Sequence, residues 1–472
     1  MNTTEILRKS PLPSMEEMTI QSEVLDPVIA TKTLVRFQVP RAGILRSGSM
    51  IKFVVKSETD TSCFFPLHTG CFAMFDRVEL TLGGKRIQSV DKSALYNTIK
   101  RQTQSQDYKY GIDMVQKGCV DRLCSSTGND GTMMLRDGVE VTNNSTIPEQ
   151  YRITSTKPSE FSVRLDELFP MLEDLSLPLG NLNENLFVNL YLNVQDRTTT
   201  ATDTHTQGPI GLFTSDYGTG SQVVEADLTS FQLAADILYF SEERQAQLAE
   251  AMMMDQGITV LTDDVITVIN QQPSITPPGA TVGERQQNIQ LSLQGLSVKN
   301  ILVADRNISS GSSKFLLGDY TSQAYAKPNT LQLRLNDLLV YPTPISNEQL
   351  KIKEVGDVFD NDFTVASSEY SFNQVATKSG LFPLDNKIIS DTKTFMTRSC
   401  FDGLAGNSHF EGISVAVPRA GRQGTVSKNM AVLERTTFPS TSVSTTDQRE
   451  VTIFAGVEKL VSFRQGALIT VV

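Results

Sequence analysis

Histidine and cysteine are the residues through which this chain could do metal or nucleophilic chemistry, and there are few of them. His68, His205 and His409 are the three histidines, spread so widely that no cluster of the kind a metal-dependent β-sandwich enzyme needs is visible. His205 lies in a Thr-rich stretch and reads as a solvated loop residue; His409 follows Gly406-Asn407-Ser408 and reads as part of a turn. Cys63, His68 and Cys71 form Cys-x4-His-x2-Cys, with Cys119 and Cys124 further on, but this spacing matches neither zinc knuckles nor zinc fingers. The five cysteines, an odd number with Cys400 the last, fit reduced thiols buried as small apolar side chains better than a disulfide framework.

Other chemical motifs fail on the same kind of test. Gly83-Gly84-Lys85 lacks the upstream glycine of a phosphate-binding loop, and its apolar flanks make it a hairpin turn. Asp360-Asn361-Asp362 has half of a calcium loop without the glycine or the distal glutamate, and reads as a turn. Proteins that bind and cleave glycans hold sugar rings on flat aromatic faces, and there is no Trp. The 53 acidic residues are read as solvated surface charge, so no pair is singled out as catalytic. The expectation is a protein that is not an enzyme, with no catalytic residue, cofactor or metal.

The elements that would position any site are strands. Apolar and polar residues alternate over 33–40, 50–55, 78–82, 161–165 and 186–193, and again over 258–269, 289–293, 296–303, 331–335, 413–417, 451–454 and 460–463. The remainder is rich in Gly, Pro, Asn, Asp, Ser and Thr, notably 195–222, 271–285 and 439–448, which read as surface loops. A length of 472 residues is too great for one sandwich and suits two.

An internal correspondence fixes the organisation. Val78-Glu79-Leu80-Thr81-Leu82 runs into Gly83-Gly84 and then Ile87, while Leu331-Gln332-Leu333-Arg334-Leu335 runs into Asn336-Asp337 and then Val340. Both read as hairpins with a two-residue turn at Gly83 and Gly84 or Asn336 and Asp337, residues that tolerate positive φ. A helix follows each: Asp91 or Ser93 can cap one carrying Leu95, Tyr96 and Ile99, and Ser346 with Gln349 makes a capping box before Leu350 and Ile352. Between the two copies, a strand ending at Phe240 leads to Ser241, Glu242, Glu243 and Arg244. Ser241 there suits an N-cap, and the two carboxylates suit the positive end of a helix. The fold class expected is all-β, two tandem eight-stranded antiparallel jelly-roll sandwiches with short helices in the connections. The divisions are an N-terminal arm over 1–22, a first jelly roll over 23–240, a junction helix over 241–256 and a second jelly roll over 257–472.

Charge and hydropathy narrow the partners. A formal net charge of -11 repels phosphate, so direct specific nucleic-acid binding is not expected. No apolar run is long enough to cross a bilayer or to form a signal-peptide core, so the chain reads as soluble and intracellular.

Three segments carry a family likeness. Phe75 to Ile87 is similar to a strand, Gly-rich turn and strand; Leu233 to Arg244 to a strand whose aromatic end meets an acidic, Arg-containing helix; and Phe169-Pro170 to Leu186, with Leu177-Pro178-Leu179, to a Leu-Pro-Leu stretch before a late strand. In these the chain resembles the double jelly-roll major capsid proteins of double-stranded DNA viruses, those of polinton-like viruses, virophages and nucleocytoplasmic large DNA viruses. Its junction lacks the fuller Arg-Arg and His-Glu pattern of the large-virus members, which favours the smaller-virus branch.

The resemblance implies a structural protein of the virion, made in the host cytoplasm or nucleus. It implies a homotrimer with a pseudo-hexagonal outline that tiles an icosahedral capsid beside neighbouring capsomers and penton or minor capsid proteins. The alternatives are a carbohydrate-binding or glycan-hydrolysing β-sandwich, and a minor capsid or spike component of the same fold.

Overall fold

The computed structural model describes residues 18–57, 70–102, 112, 114–117, 133–134, 140–141, 159–192, 224–255, 257–272, 283–307, 328–336, 338–339, 410–413, 425–426, 429–438 and 449–471. Beside shorter strands of two or three residues, alternation of apolar and polar side chains produces eight strands of six or more among the described residues of the first half. They are β1 (Met18–Leu25), β2 (Leu34–Val39), β3 (Met50–Ser57), β4 (Phe75–Leu82), β5 (Lys85–Asp91), β6 (Ser159–Arg164), β7 (Leu186–Leu192) and β8 (Gln232–Phe240). They pair in two sheets, β1-β8-β3-β6 and β2-β7-β4-β5, antiparallel throughout.

The second half supplies β9 (Ile258–Gln272), β10 (Gly283–Leu291), β11 (Ser297–Asn307), β12 (Pro328–Leu335), β13 (Leu338–Leu339), β14 (Phe410–Ile413), β15 (Met430–Phe438) and β16 (Arg449–Arg464), with β17 (Ala467–Val471) added beside β16. Their sheets run β9-β16-β11-β14 and β10-β15-β12-β13. Each position in the second pair of sheets is the first pair's strand number plus eight. The chain is therefore all-β and forms the same eight-stranded jelly roll twice.

Each sandwich buries one face of each sheet. In the first, register makes three apolar rows across β2, β7 and β4: Val35-Leu190-Val78, Phe37-Val188-Leu80 and Val39-Leu186-Leu82. Facing them, Phe53 of β3 stacks on Phe231 at 5.1 Å between ring centroids and meets Phe75 edge-on at 5.8 Å, geometries aromatic rings prefer. In the second, Ile289-Val432-Leu333 crosses β10, β15 and β12, and Val268-Ile453-Val303 crosses β9, β16 and β11. A fully buried side chain of this size contributes about 1.5–3 kcal/mol.

Several sequence expectations shift. Strand β1 begins at Met18, inside the expected arm of 1–22, because its eight residues match β8 one for one from Met18 opposite Phe240 to Leu25 opposite Leu233. The runs 451–454 and 460–463 belong to one strand, β16, continuous through Ala455 and Gly456 because β9 pairs with it over its whole length. The loop expected over 271–285 is shortened at both ends, since Gln271 and Gln272 extend β9 and Gly283 opens β10. Strand β15 lies where no alternation was found.

Two helices matter for the junction. α1 (Ser93–Gln102) follows the β4-β5 hairpin, and α2 (Glu242–Met253) follows β8. α2 is shorter than the expected 241–256, and Ser241 holds the N-cap position without a side-chain cap bond. The helix is begun instead by Gln245 N–H donating to the Ser241 carbonyl at 3.0 Å. The helix expected from Ser346 lies outside the described residues.

Candidate assembly surfaces

Three of the four residues expected at hairpin turns are described, and they lie at hairpin tips. Gly83 and Gly84 link β4 to β5 with φ of +55° and +85°, and Asn336 stands between β12 and β13 with φ of +49°; Asp337 is outside the described residues. A Cβ at Gly83 would overlap the carboxylate of Glu184, whereas one at Gly84 would meet nothing within 4 Å. Both tips are tied to the residue just before the neighbouring strand. Gly83 N–H donates to Asn185 O at 3.2 Å, and Asn336 N–H donates to Asn429 O at 2.9 Å.

The junction has an apolar end built on α2. Glu242 and Glu243 are exposed in its first turn, where the helix dipole favours them, and Arg244 donates to Gln247 Oε1 at 2.8 Å. Leu248 and Met252, one turn apart on the inner face, are buried in a cluster that runs from the first sandwich to Ile258, Val260, Val461, Phe463 and Leu468 of the second. Main-chain bonds close this end: Gln465 N–H to Met252 O at 2.8 Å, and Asn183 N–H to Gly466 O at 2.7 Å.

The other end combines a helix contact with a buried polar cluster. Ala94, Leu95 and Tyr96 of α1 pack on Val265, Leu302 and Phe454, which point outward from the sheet β9-β16-β11; the rings of Tyr96 and Phe454 are 5.4 Å apart. Beside them the Gln88 amide donates to Asp264 Oδ1 at 2.7 Å. Lys459 Nζ donates to Asp264 Oδ2 at 2.9 Å and to the Ile87 carbonyl at 2.7 Å. Thr267 adds a bond from its hydroxyl to Asp91 O at 3.2 Å. Loss of solvent around the Tyr96 hydroxyl, and then the charges of Asp263 and Asp264, push its pKa upward. Buried polar groups so bonded hold one arrangement of the two sandwiches, because any displacement would strand a charge away from water.

The outer faces differ. On β2-β7-β4-β5 the Arg77 guanidinium lies 3.9 Å above the Tyr191 ring, and the Tyr191 hydroxyl donates to Glu79 at 3.0 Å, so this face carries charged and polar side chains. On β1 the residues turned away from the core are Met18, Ile20, Ser22 and Val24, and the three apolar ones are exposed. Sequence reasoning missed this stripe because it expected an arm there.

The chemical candidates do not converge on a site. His68, His205, His409, Cys63, Cys119, Cys124, Cys400 and Asp360-Asn361-Asp362 lie outside the described residues. Cys71 is buried in the core of the first sandwich. Among the described residues no group of three His, Cys, Asp or Glu side chains could hold a metal ion, and no helix is long and apolar enough to cross a membrane.

No protein-family profile matches the chain, and no curated protein matches it in sequence. Solved structures do match in fold. The PBCV-1 virus capsid aligns over 98% of this chain and 99% of that one, with a TM-score of 0.53 and 13% identity. A chain of the Sputnik virophage aligns over 98% and 90%, with a TM-score of 0.54 and 10% identity. The Faustovirus major capsid protein aligns over 96% and 92%, with a TM-score of 0.54 and 9% identity. The likeness covers both sandwiches and their order, so the chain has the double jelly-roll fold of the major capsid proteins of double-stranded DNA viruses.

Proposed function

We propose that this protein is a major capsid protein, a structural and non-enzymatic subunit that forms homotrimers and tiles an icosahedral virus shell. The observation that carries the reading is the repetition of the order of the principal strands in two sandwiches held by one fixed junction. Two equivalent sandwiches per chain give a trimer six of them, so a threefold particle acquires a near-hexagonal outline and packs against six neighbours. A shell subunit needs shape, stiffness and self-complementary surfaces rather than a reactive group, and two like sandwiches fixed at their junction support the first two of these.

Its partners would be copies of itself, adjacent capsomers and the proteins that fill fivefold vertices; its place is the virion. The test is light scattering on the purified chain followed by electron microscopy of assembled particles. A mass three times that of the chain and hexagonally packed capsomers are expected. A chain that stays monomeric at micromolar concentration overturns the reading.

A further inference from the structure

The amine of Lys117 is buried beside core side chains of the first sandwich. Lys117 closes a single helical turn, Met114–Lys117, that packs on β6 and on the turn Gly70–Met74 ahead of β4. At 1% exposure it is the only buried lysine among the described residues. Its nitrogen stands 5.3 Å from the centre of the Phe72 ring and lies directly against Oε1 of Glu167, whose own side chain is 13% exposed.

Glu167 is held from its other side. It belongs to the helical turn Leu165–Leu168 that follows β6, and its Oε2 accepts the main-chain N–H of Arg164 at 2.9 Å. The Arg164 guanidinium turns instead to the neighbouring carboxylate, Asp166. One oxygen of Glu167 therefore meets the amine while the other meets a fixed N–H donor. A carboxyl carbon set between a nucleophile and a donor for the developing oxyanion is the arrangement that acyl transfer uses. The junction pair differs: there the Lys459 amine is shared with the Ile87 carbonyl, and both oxygens of Asp264 accept from side chains.

We propose that Lys117 and Glu167 condense, without a cofactor, into an intramolecular amide that fastens the turn Met114–Lys117 to the end of β6. The ammonium first gives one proton to the carboxylate, since burial penalises both charges. The neutral amine then attacks Cδ of Glu167. A C–N bond forms, one C–O bond breaks, and the departing hydroxyl takes a proton from the attacking nitrogen and leaves as water; nothing is oxidised or reduced. The Arg164 N–H supports the negative oxygen of the tetrahedral intermediate. Exclusion of solvent from the site protects the amide from hydrolysis.

Intact-mass spectrometry of the purified full chain in denaturant reads the reaction directly, and its result is separate from the capsid reading. The parent is expected to be lighter than its sequence by one water, and Lys117→Arg, which keeps the charge but forms no such amide, to have its full sequence mass. Trypsin cuts at Arg122 and Arg152, between the two residues, so the parent digest is expected to contain one branched peptide holding both Lys117 and Glu167. That peptide comes from the parent alone and is decisive even if the variant fails to fold. A parent of full sequence mass, whose digest returns the two peptides separately, contains an ion pair only and overturns the proposal. A loss of water that maps to other residues, or that persists in Lys117→Arg, overturns it equally.

Discussion

The ammonium of Lys459 donates to the main-chain carbonyl of Ile87 at 2.7 Å, across 372 positions of sequence and from one sandwich to the other. The same nitrogen holds Asp264, so a single side chain neutralises a mostly buried carboxylate and ties the strand that follows the first hairpin turn to the second sheet.

Removing that cation leaves Asp264 charged with only neutral donors beside it. Lys459→Met is expected to destabilise the chain by about 3 kcal/mol, the usual consequence of breaking one half of a buried pair. The double variant Lys459→Met with Asp264→Asn is expected to lose less than the sum of the two single changes. Urea denaturation of the four proteins checks both statements.

Phe454 is buried against Tyr96, Ala94 and Leu95 rather than within either sandwich. Phe454→Ala is therefore expected to cost about 3–5 kcal/mol, with the loss concentrated at the junction. Amide hydrogen exchange resolves this: α1 is expected to exchange faster, while β2, β7 and β4 keep their protection.

The Tyr96 hydroxyl is held above its ordinary value of 10.0 by its lack of solvent and by Asp263 and Asp264. The unfolded chain releases that proton near pH ~10 and the folded chain retains it, so the folded state binds more protons and stability falls as pH rises. The contribution is complete below about pH 10 and declines above it. Thermal melts at pH 9 and 11 are expected to show a larger drop for the parent than for Tyr96→Phe; equal drops would remove Tyr96 from the account.

Gly83 and Gly84 differ although they share a turn. Both have positive φ, but only Gly83 faces Glu184. Gly83→Ala is expected to cost about 2 kcal/mol and Gly84→Ala about 1 kcal/mol, from left-handed strain plus, at Gly83, the displaced carboxylate. Adding Glu184→Ala is expected to recover part of the first loss and none of the second in thermal melts.

Most strands were legible because burial of one face imposes a period of two, as in Val35, Phe37 and Val39 or Ile51, Phe53 and Val55. The paired hairpins at 78–87 and 331–340 were legible because a tight turn restricts residue choice. Strand β15 was not: it opens with Met430, Ala431, Val432 and Leu433 in succession, without the alternation that marks a strand. Strand β1 was misread because its apolar residues face outward while Gln21 and Glu23 share the inner side with Leu25. The Gln88, Asp264 and Lys459 cluster had no sequence signal at all, since three polar residues far apart in the chain meet only after both sandwiches have formed.

The two sandwiches are fastened at both ends of their common side, by Leu248 and Met252 at one and by Lys459 and Tyr96 at the other. A plate riveted at two separated points resists hinging. Curvature in any larger structure built from it must then be accommodated at the seams between plates, where mechanical stress would gather first.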